Sequence, residues 1–128
     1  MASMIPYIVF NGSCKQAIEF YAQVLEGEIV SMRTFGESPL DVPAEHKSRI
    51  FDSAFEAGDI YFRASDDLPG QPVTIGSNIS LFVSFTDKAM RKNVFDKLAG
   101  EGKILFPLED NFGMLKDKFG LQWMFPGE

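Results

Sequence analysis

The 128 residues carry 18 acidic side chains against 12 basic ones, a net charge of −6, and only one cysteine. That is the length of one domain; it leaves no Lys/Arg surplus for nucleic-acid phosphates and excludes an internal disulfide, in keeping with a reducing cytoplasm. No apolar run approaches the roughly 20 residues of a membrane span, so neither nucleic acid nor membrane is an expected partner.

The start, Met1 to Pro6, lacks the basic and long apolar segments of a secretory signal, and a cytoplasmic location is expected. Tyr7 to Phe10 reads as a short strand of β-formers. Asn11-Gly12-Ser13 turns the chain, and Ser13 with Gln16 has capping-box spacing. Cys14, Ala17, Ile18, Tyr21, Val24 and Leu25 then recur at helical intervals, with Gly27 placed as a left-handed stop. Ile29 to Phe35 is the next predicted strand. From Gly36 to Lys47 periodicity is lost, and a loop this long in a compact domain is functional or mobile. Ile50 to Glu56 and Asp59 to Ala64 form a predicted hairpin around Ala57-Gly58. The stretch from Asp66 to Pro72 has the composition of a linker.

A second cycle follows. Asn78 to Phe85 alternates as a strand, Thr86 is the predicted helix cap, and Met90, Val94 and Leu98 make a buried stripe. Lys103 to Phe106, Met114 to Asp117 and Leu121 to Phe125 complete the strands. Aligning Phe20-Tyr21 with Val94-Phe95 gives an offset of 74 positions (94 − 20), too long for a solenoid repeat. The chain is therefore read as one domain, 1–128, with module one at 5–65, a linker at 66–77 and module two at 78–126.

Alternation in module two separates Ile79, Leu81, Val83 and Phe85 from Ser80, Phe82 and Ser84, and Leu121, Trp123 and Phe125 from Gln122 and Met124. The uniformly apolar set suits packing against helices. The mixed set suits a concave ligand surface or, equally, the half-solvated outside of a sheet.

Three stretches resemble the PhnB-like branch of the vicinal-oxygen-chelate superfamily, which includes glyoxalase I, bleomycin-resistance proteins and extradiol dioxygenases. They are Pro6 to Gly12, Ala17 to Tyr21 and the ending Asp117-Lys118-Phe119-Gly120-Leu121-Gln122-Trp123; Glu45-His46-Lys47 and Gly58-Asp59 add to the likeness. The resemblance implies an α+β fold of two β-α-β-β-β modules, forming a curved mixed sheet of about eight strands around a cavity. It also implies a homodimer, sometimes with exchanged modules, and, in the enzymes, a divalent metal acting as a Lewis acid.

Carrying over the metal positions residue by residue lands on Pro6, Phe62, Asn78 and Met124. Proline and phenylalanine cannot ligate, a thioether suits hard ions poorly and one amide oxygen is feeble, so no metal cofactor is expected. Asp52 stands where the branch often has histidine. It could ligate, accept a proton or meet a cationic ligand, but an exposed strand Asp guarding an edge is favoured. His46 is expected to be solvated, Cys14 to be a small core residue, and Arg63 to fall on the helix-facing side and pair with an acid. One departure from the pattern is Asn111-Phe112-Gly113, which runs straight into Met114 without the usual Trp.

The expected function is binding of a small, partly apolar molecule. Phe10, Phe62, Phe82 and Met124 would form its walls, and Asn78, Ser80, Gln122 and Asp52 would orient it. A metal-dependent enzyme of glyoxalase or dioxygenase type rebuilt on Asp52 and His46, and a drug-sequestering protein attracting cations through the acidic charge, are the competing expectations.

Overall fold

A computed structural model describes residues 1–127. The chain forms two compact units, Met1–Val73 and a second beginning at Thr74. Each has the order strand, helix, three strands. In module one these are β1 (Tyr7–Phe10), α1 (Cys14–Val24), β2 (Glu28–Thr34), β3 (Ile50–Ala57) and β4 (Ile60–Asp66). In module two they are β5 (Leu81–Phe82), α2 (Lys88–Ala99), β6 (Lys103–Phe106), β7 (Phe112–Lys116) and β8 (Gln122–Pro126). The sheets are four-stranded, ordered β1-β4-β3-β2 and β5-β8-β7-β6. In both, the opening strand lies parallel to the closing one and the other pairs are antiparallel. A parallel pair needs a crossover, and the helix supplies it.

The apolar stripe of α1 is buried as the spacing predicts: Cys14, Ala17, Ile18, Tyr21 and Val24. Tyr21 meets Phe62 edge-on at 6.0 Å between ring centroids, and Phe62 lies 5.0 Å from Phe55. In module two Phe125 takes Phe95 edge-on at 5.1 Å and stacks with Phe85 at 5.8 Å. Trp123, Leu98, Val94 and Leu115 fill the rest of that core.

The helix ends differ from expectation in instructive ways. Ser13 makes no side-chain cap; the Asp66 carboxylate instead accepts the Cys14 amide at 2.9 Å and, through its other oxygen, the Ile50 amide at 2.9 Å. Asp66 therefore ends β4 as a buried anchor rather than opening a linker. At the other end the left-handed residue is Glu26 (φ 55°), not Gly27. Gly27 donates to the Ala22 carbonyl in a Schellman-type closure, and a Cβ there would stand 2.5 Å from the Glu56 carbonyl. Module two repeats the left-handed glutamate and the close-packed glycine with Glu101 (φ 62°) and Gly102, whose Cβ would run into the Lys116 carbonyl, but there Gly102 donates to the Ala99 carbonyl. The cap of α2 is Asp87, one residue after Thr86; its carboxylate accepts the amides of Ala89 and Met90.

Two strands also depart from expectation. β5 holds only Leu81 and Phe82, because the Gln122 side chain bonds the Ser77 carbonyl and Ser80 hydroxyl where a longer strand would carry backbone pairing. The aperiodic segment after β2 folds into two 3₁₀ turns, Phe35–Glu37 and Ala44–His46. Thr34 closes the first by donating its amide and hydroxyl to Glu37, each at 2.9 Å. These amide and hydroxyl donations hold the Glu37 carboxyl below its ordinary value.

Candidate functional site

Register decides which residues share a face, because cross-strand partners project to the same side. In module one Ile8 pairs with Ala64, Phe10 with Asp66, and Phe55 with Phe62. Phe62 touches Tyr21 of α1, so this set faces the helix. The opposite, open face carries Tyr7 beside Arg63, Val9 beside Ser65, and Arg33 beside Asp52.

This assignment corrects two expectations. Phe10 and Phe62 are 3% and 2% exposed and belong to the core, not to a ligand wall. Arg63 lies on the open face, not against the helix. Of the positions derived for module one's metal, Phe62 thus lies under the helix, whereas Pro6 is exposed and precedes β1. The amphipathic pattern of β4 carries the signal: Ile60, Phe62 and Ala64 alternate with Tyr61, Arg63 and Ser65, and the apolar set goes under the helix.

Tyr7, Val9, Asp52 and Ser65 of the open face, with Phe35, Phe51, Leu68, Gln71 and an edge of the helix-side Asp66, line a cavity of about 440 Å³. Phe35 is buried and packs edge-on against Phe51 at 5.6 Å. The guanidinium of Arg33 sits over the Phe51 ring, 5.4 Å from its centroid. Arg63 donates through Nη2 to Asp52 Oδ2, forming an ion pair, and the Tyr7 hydroxyl donates to Asp52 Oδ1 at 3.4 Å. Burial raises the Tyr7 phenol above its ordinary value; Ser65 works against this through a hydrogen bond, and the charge of Asp52 adds to it. Tyr7 is therefore a neutral hydroxyl at physiological pH. The hydrogen bond that Arg63 donates to Asp52 is the largest cause holding its guanidinium above its ordinary value, so the guanidinium stays charged. Beside the cavity, Arg49 pairs with the largely buried Asp67 at 2.7 Å and packs under Gly12.

Tyr7, Ser65, Phe51 and Arg33 are site residues that motif matching does not reveal. The face assignment of β1 and β4 finds Tyr7 and Ser65; Arg33 and Phe51 follow from the β2–β3 pairing and its register shift at Arg33/Thr34.

In module two Phe82 pairs with Met124, and Met114 pairs with both Met124 and Phe106, so these four share the open face. Phe82 and Phe106 are 67% and 55% exposed. Gln122 donates to Ser77 O at 3.1 Å and to Ser80 Oγ at 3.3 Å, which brings two of the expected polar residues together. Asn78 is exposed and lies outside the strand. A second cavity of about 690 Å³ lies between α2 and the segment from Pro107 to Asp110. Although larger, it is the weaker candidate. Its central cation, Arg91, is consumed by the carbonyls of Glu109, Phe125 and Pro126, and Lys92 is paired with Asp96.

The ending that carried the resemblance proves architectural. Asp117 Oδ1 accepts the amides of Phe119 and Leu121, at 2.9 and 3.1 Å, and Oδ2 accepts the Trp123 indole at 2.9 Å. One carboxylate shapes the β7–β8 turn and fixes the largest core residue of the module.

A divalent metal of the superfamily kind does not fit either open face by itself. Among the described residues no group of three His, Cys, Asp or Glu side chains is placed to hold an ion. Asp52, the one relevant carboxylate, has a guanidinium against it, which disfavours a second cation. His46 belongs to no such group; its Nδ1 is buried and has no hydrogen-bond partner among the described residues. Nor does Cys14 offer a nucleophile: its thiol is fully buried against Ser53, and burial pushes it up to about 12.

No helix among the described residues is long and apolar enough to cross a membrane. A family model described as 3-demethylubiquinone-9 3-methyltransferase matches residues 2–125. Protein YjdN of Escherichia coli (strain K12) is 28% identical over 133 residues, covering 93% of this chain and 90% of its own. Protein PA1353 from Pseudomonas aeruginosa superposes with a TM-score of 0.89 at 33% identity, over 100% of this chain and 98% of that one. A putative 3-demethylubiquinone-9 3-methyltransferase, PhnB protein, from Bacillus cereus gives a TM-score of 0.84 at 26% identity, over 99% and 100%. The fold alone extends to the fosfomycin resistance protein FosX from Mesorhizobium loti, with a TM-score of 0.64 at 11% identity, over 100% and 94%. The duplicated β-α-β-β-β architecture and the full-length match agree: the chain belongs to the 3-demethylubiquinone-9 3-methyltransferase family, in the PhnB-like branch of the vicinal-oxygen-chelate superfamily.

Proposed function

We propose that this protein binds a small, partly apolar molecule on the open face of module one, without a metal ion. One observation carries the reading: the cavity of about 440 Å³ joins an apolar surface of Val9, Phe51 and Leu68 to the hydroxyls of Tyr7 and Ser65 and the carboxylate of Asp52. Small-molecule sites run to roughly 300–1,000 Å³ and combine apolar walls with a few convergent polar groups. Val9 and Leu68 are 41% and 43% exposed, an area that a ligand would cover.

The proposal includes a cytoplasmic homodimer, in which a second copy covers apolar side chains that module two leaves open, Phe82 and Phe106 foremost. Met124 lies on that surface, with Asn78, Ser80 and Gln122 as its polar neighbours. Sedimentation velocity tests the assembly, and a single-chain mass at high micromolar concentration removes it.

Binding is tested by adding uncharged aromatic fragments to isotope-labelled protein and following backbone amide shifts. The expected shifts cluster on Val9, Phe51, Asp52 and Leu68 and disappear in Leu68→Asp. Fragments that shift only amides elsewhere would sink the reading. Elemental analysis showing one tightly held divalent ion per chain would sink its metal-free part.

A further inference from the structure

Resting on the binding site proposed above, we infer that its ligand is a small organic acid: an apolar, preferably aromatic body carrying one carboxylate. Both carboxylates that line the cavity are already engaged through each oxygen: Asp66 accepts the amides of Cys14 and Ile50, and Asp52 accepts from Arg63 and Tyr7. An ammonium ligand would have to share those oxygens with the donors they already hold.

The guanidiniums are in the opposite position. Arg63 directs Nη2 at Asp52, and Arg33 directs Nη2 at the Glu37 carbonyl at 3.2 Å. Each guanidinium has five N–H donors in a planar fork, so both keep donors for a further acceptor. They flank the cavity rather than sit at random. Arg33 is the cross-strand partner of Asp52 and lies over Phe51; Arg63 is bonded to Asp52 from the neighbouring strand. A ligand body lying on Phe51, Val9 and Leu68 would have its edge beside these forks, and a planar carboxylate matches their geometry.

The test uses three probes of one shape, phenylacetate, phenylacetamide and phenethylamine, titrated against the full chain at low and high salt with amide shifts as the readout. Phenylacetate is expected to bind about tenfold more tightly than phenylacetamide at low salt, the scale of one charge-assisted hydrogen bond. The preference should shrink as salt rises. Arg63→Gln should bring the two probes to within about twofold, with the loss falling on phenylacetate. Arg33→Gln, at an exposed position that tolerates replacement, should reduce the preference in the same direction.

Equal binding of acid and amide, or a preference for the amine, overturns the inference while leaving the binding site itself standing. If none of the three probes moves amides on the module-one face, the site reading falls, and this inference with it.

Discussion

The two modules share a topology and a core logic but present unlike open faces. Module one's strands offer Tyr7, Asp52, Arg63 and Ser65, a connected set of hydroxyls and charges. Module two offers Phe82, Phe106, Met114 and Met124 at the matching side of its sheet. Inward, both bury aromatic clusters under one helix and close that helix on a left-handed glutamate and a tightly packed glycine. Duplication therefore fixed the side that must pack and left the other side free to diverge. Function is to be sought where the copies differ.

Three measurements break or sharpen this contrast. The largest effect is expected from exchanging faces within β4 and β1. Phe62→Ala should cost about 3–5 kcal/mol, as for a buried aromatic in a core, whereas Tyr7→Phe should stay within about 0.5 kcal/mol. Denaturant midpoints of the two variants decide; similar costs would mean that the faces are assigned the wrong way round. Next comes Asp117→Ala, which strips acceptors from two backbone amides and the buried Trp123 indole. A loss of about 2–3 kcal/mol is expected, with a change in tryptophan fluorescence. A neutral result would demote the closing motif from architect to bystander.

The smallest effect is a slope. The folded-state value of Cys14 is pushed up to about 12, while an unfolded thiol titrates near 8.5. Above the unfolded value the unfolded chain loses the proton first, so stability falls with rising pH until the folded value is reached, by at most about 1.4 kcal/mol per pH unit. Below that window Cys14 contributes no pH dependence. Cys14→Ala should flatten the alkaline limb relative to the parent chain, and identical limbs would show that the thiol does not contribute.

Much of this fold was legible in the residues. β1 and β6 stand where β-propensity placed them, and α1 follows its stripe, because both depend on local periodicity. What escaped was decided at a distance. Ser13 and Gln16 have the right spacing for a cap, yet Asp66 takes the amide. Counting four residues on from Gly58 reached Phe62, which packs under the helix and not on the open face. Register shifts in the β2–β3 pairing, at Ile29/Ser31 and Arg33/Thr34, are likewise invisible to spacing rules. The Arg63–Asp52 pair was half legible: an acidic partner was expected, but not its place on the open side.

The borrowed cap of α1 also bears on the order in which the chain assembles. Helix α2 carries its own start in Asp87, two and three residues from the amides it accepts. Helix α1 must wait for a carboxylate 52 positions away, delivered only when β4 has docked beside β1. Contacts so distant in sequence carry a loop-closure cost before they stabilise anything. The second helix thus carries its own start signal, while the first is completed by the strand that ends its own module, so the capping of α1 depends on the long-range closure of module one.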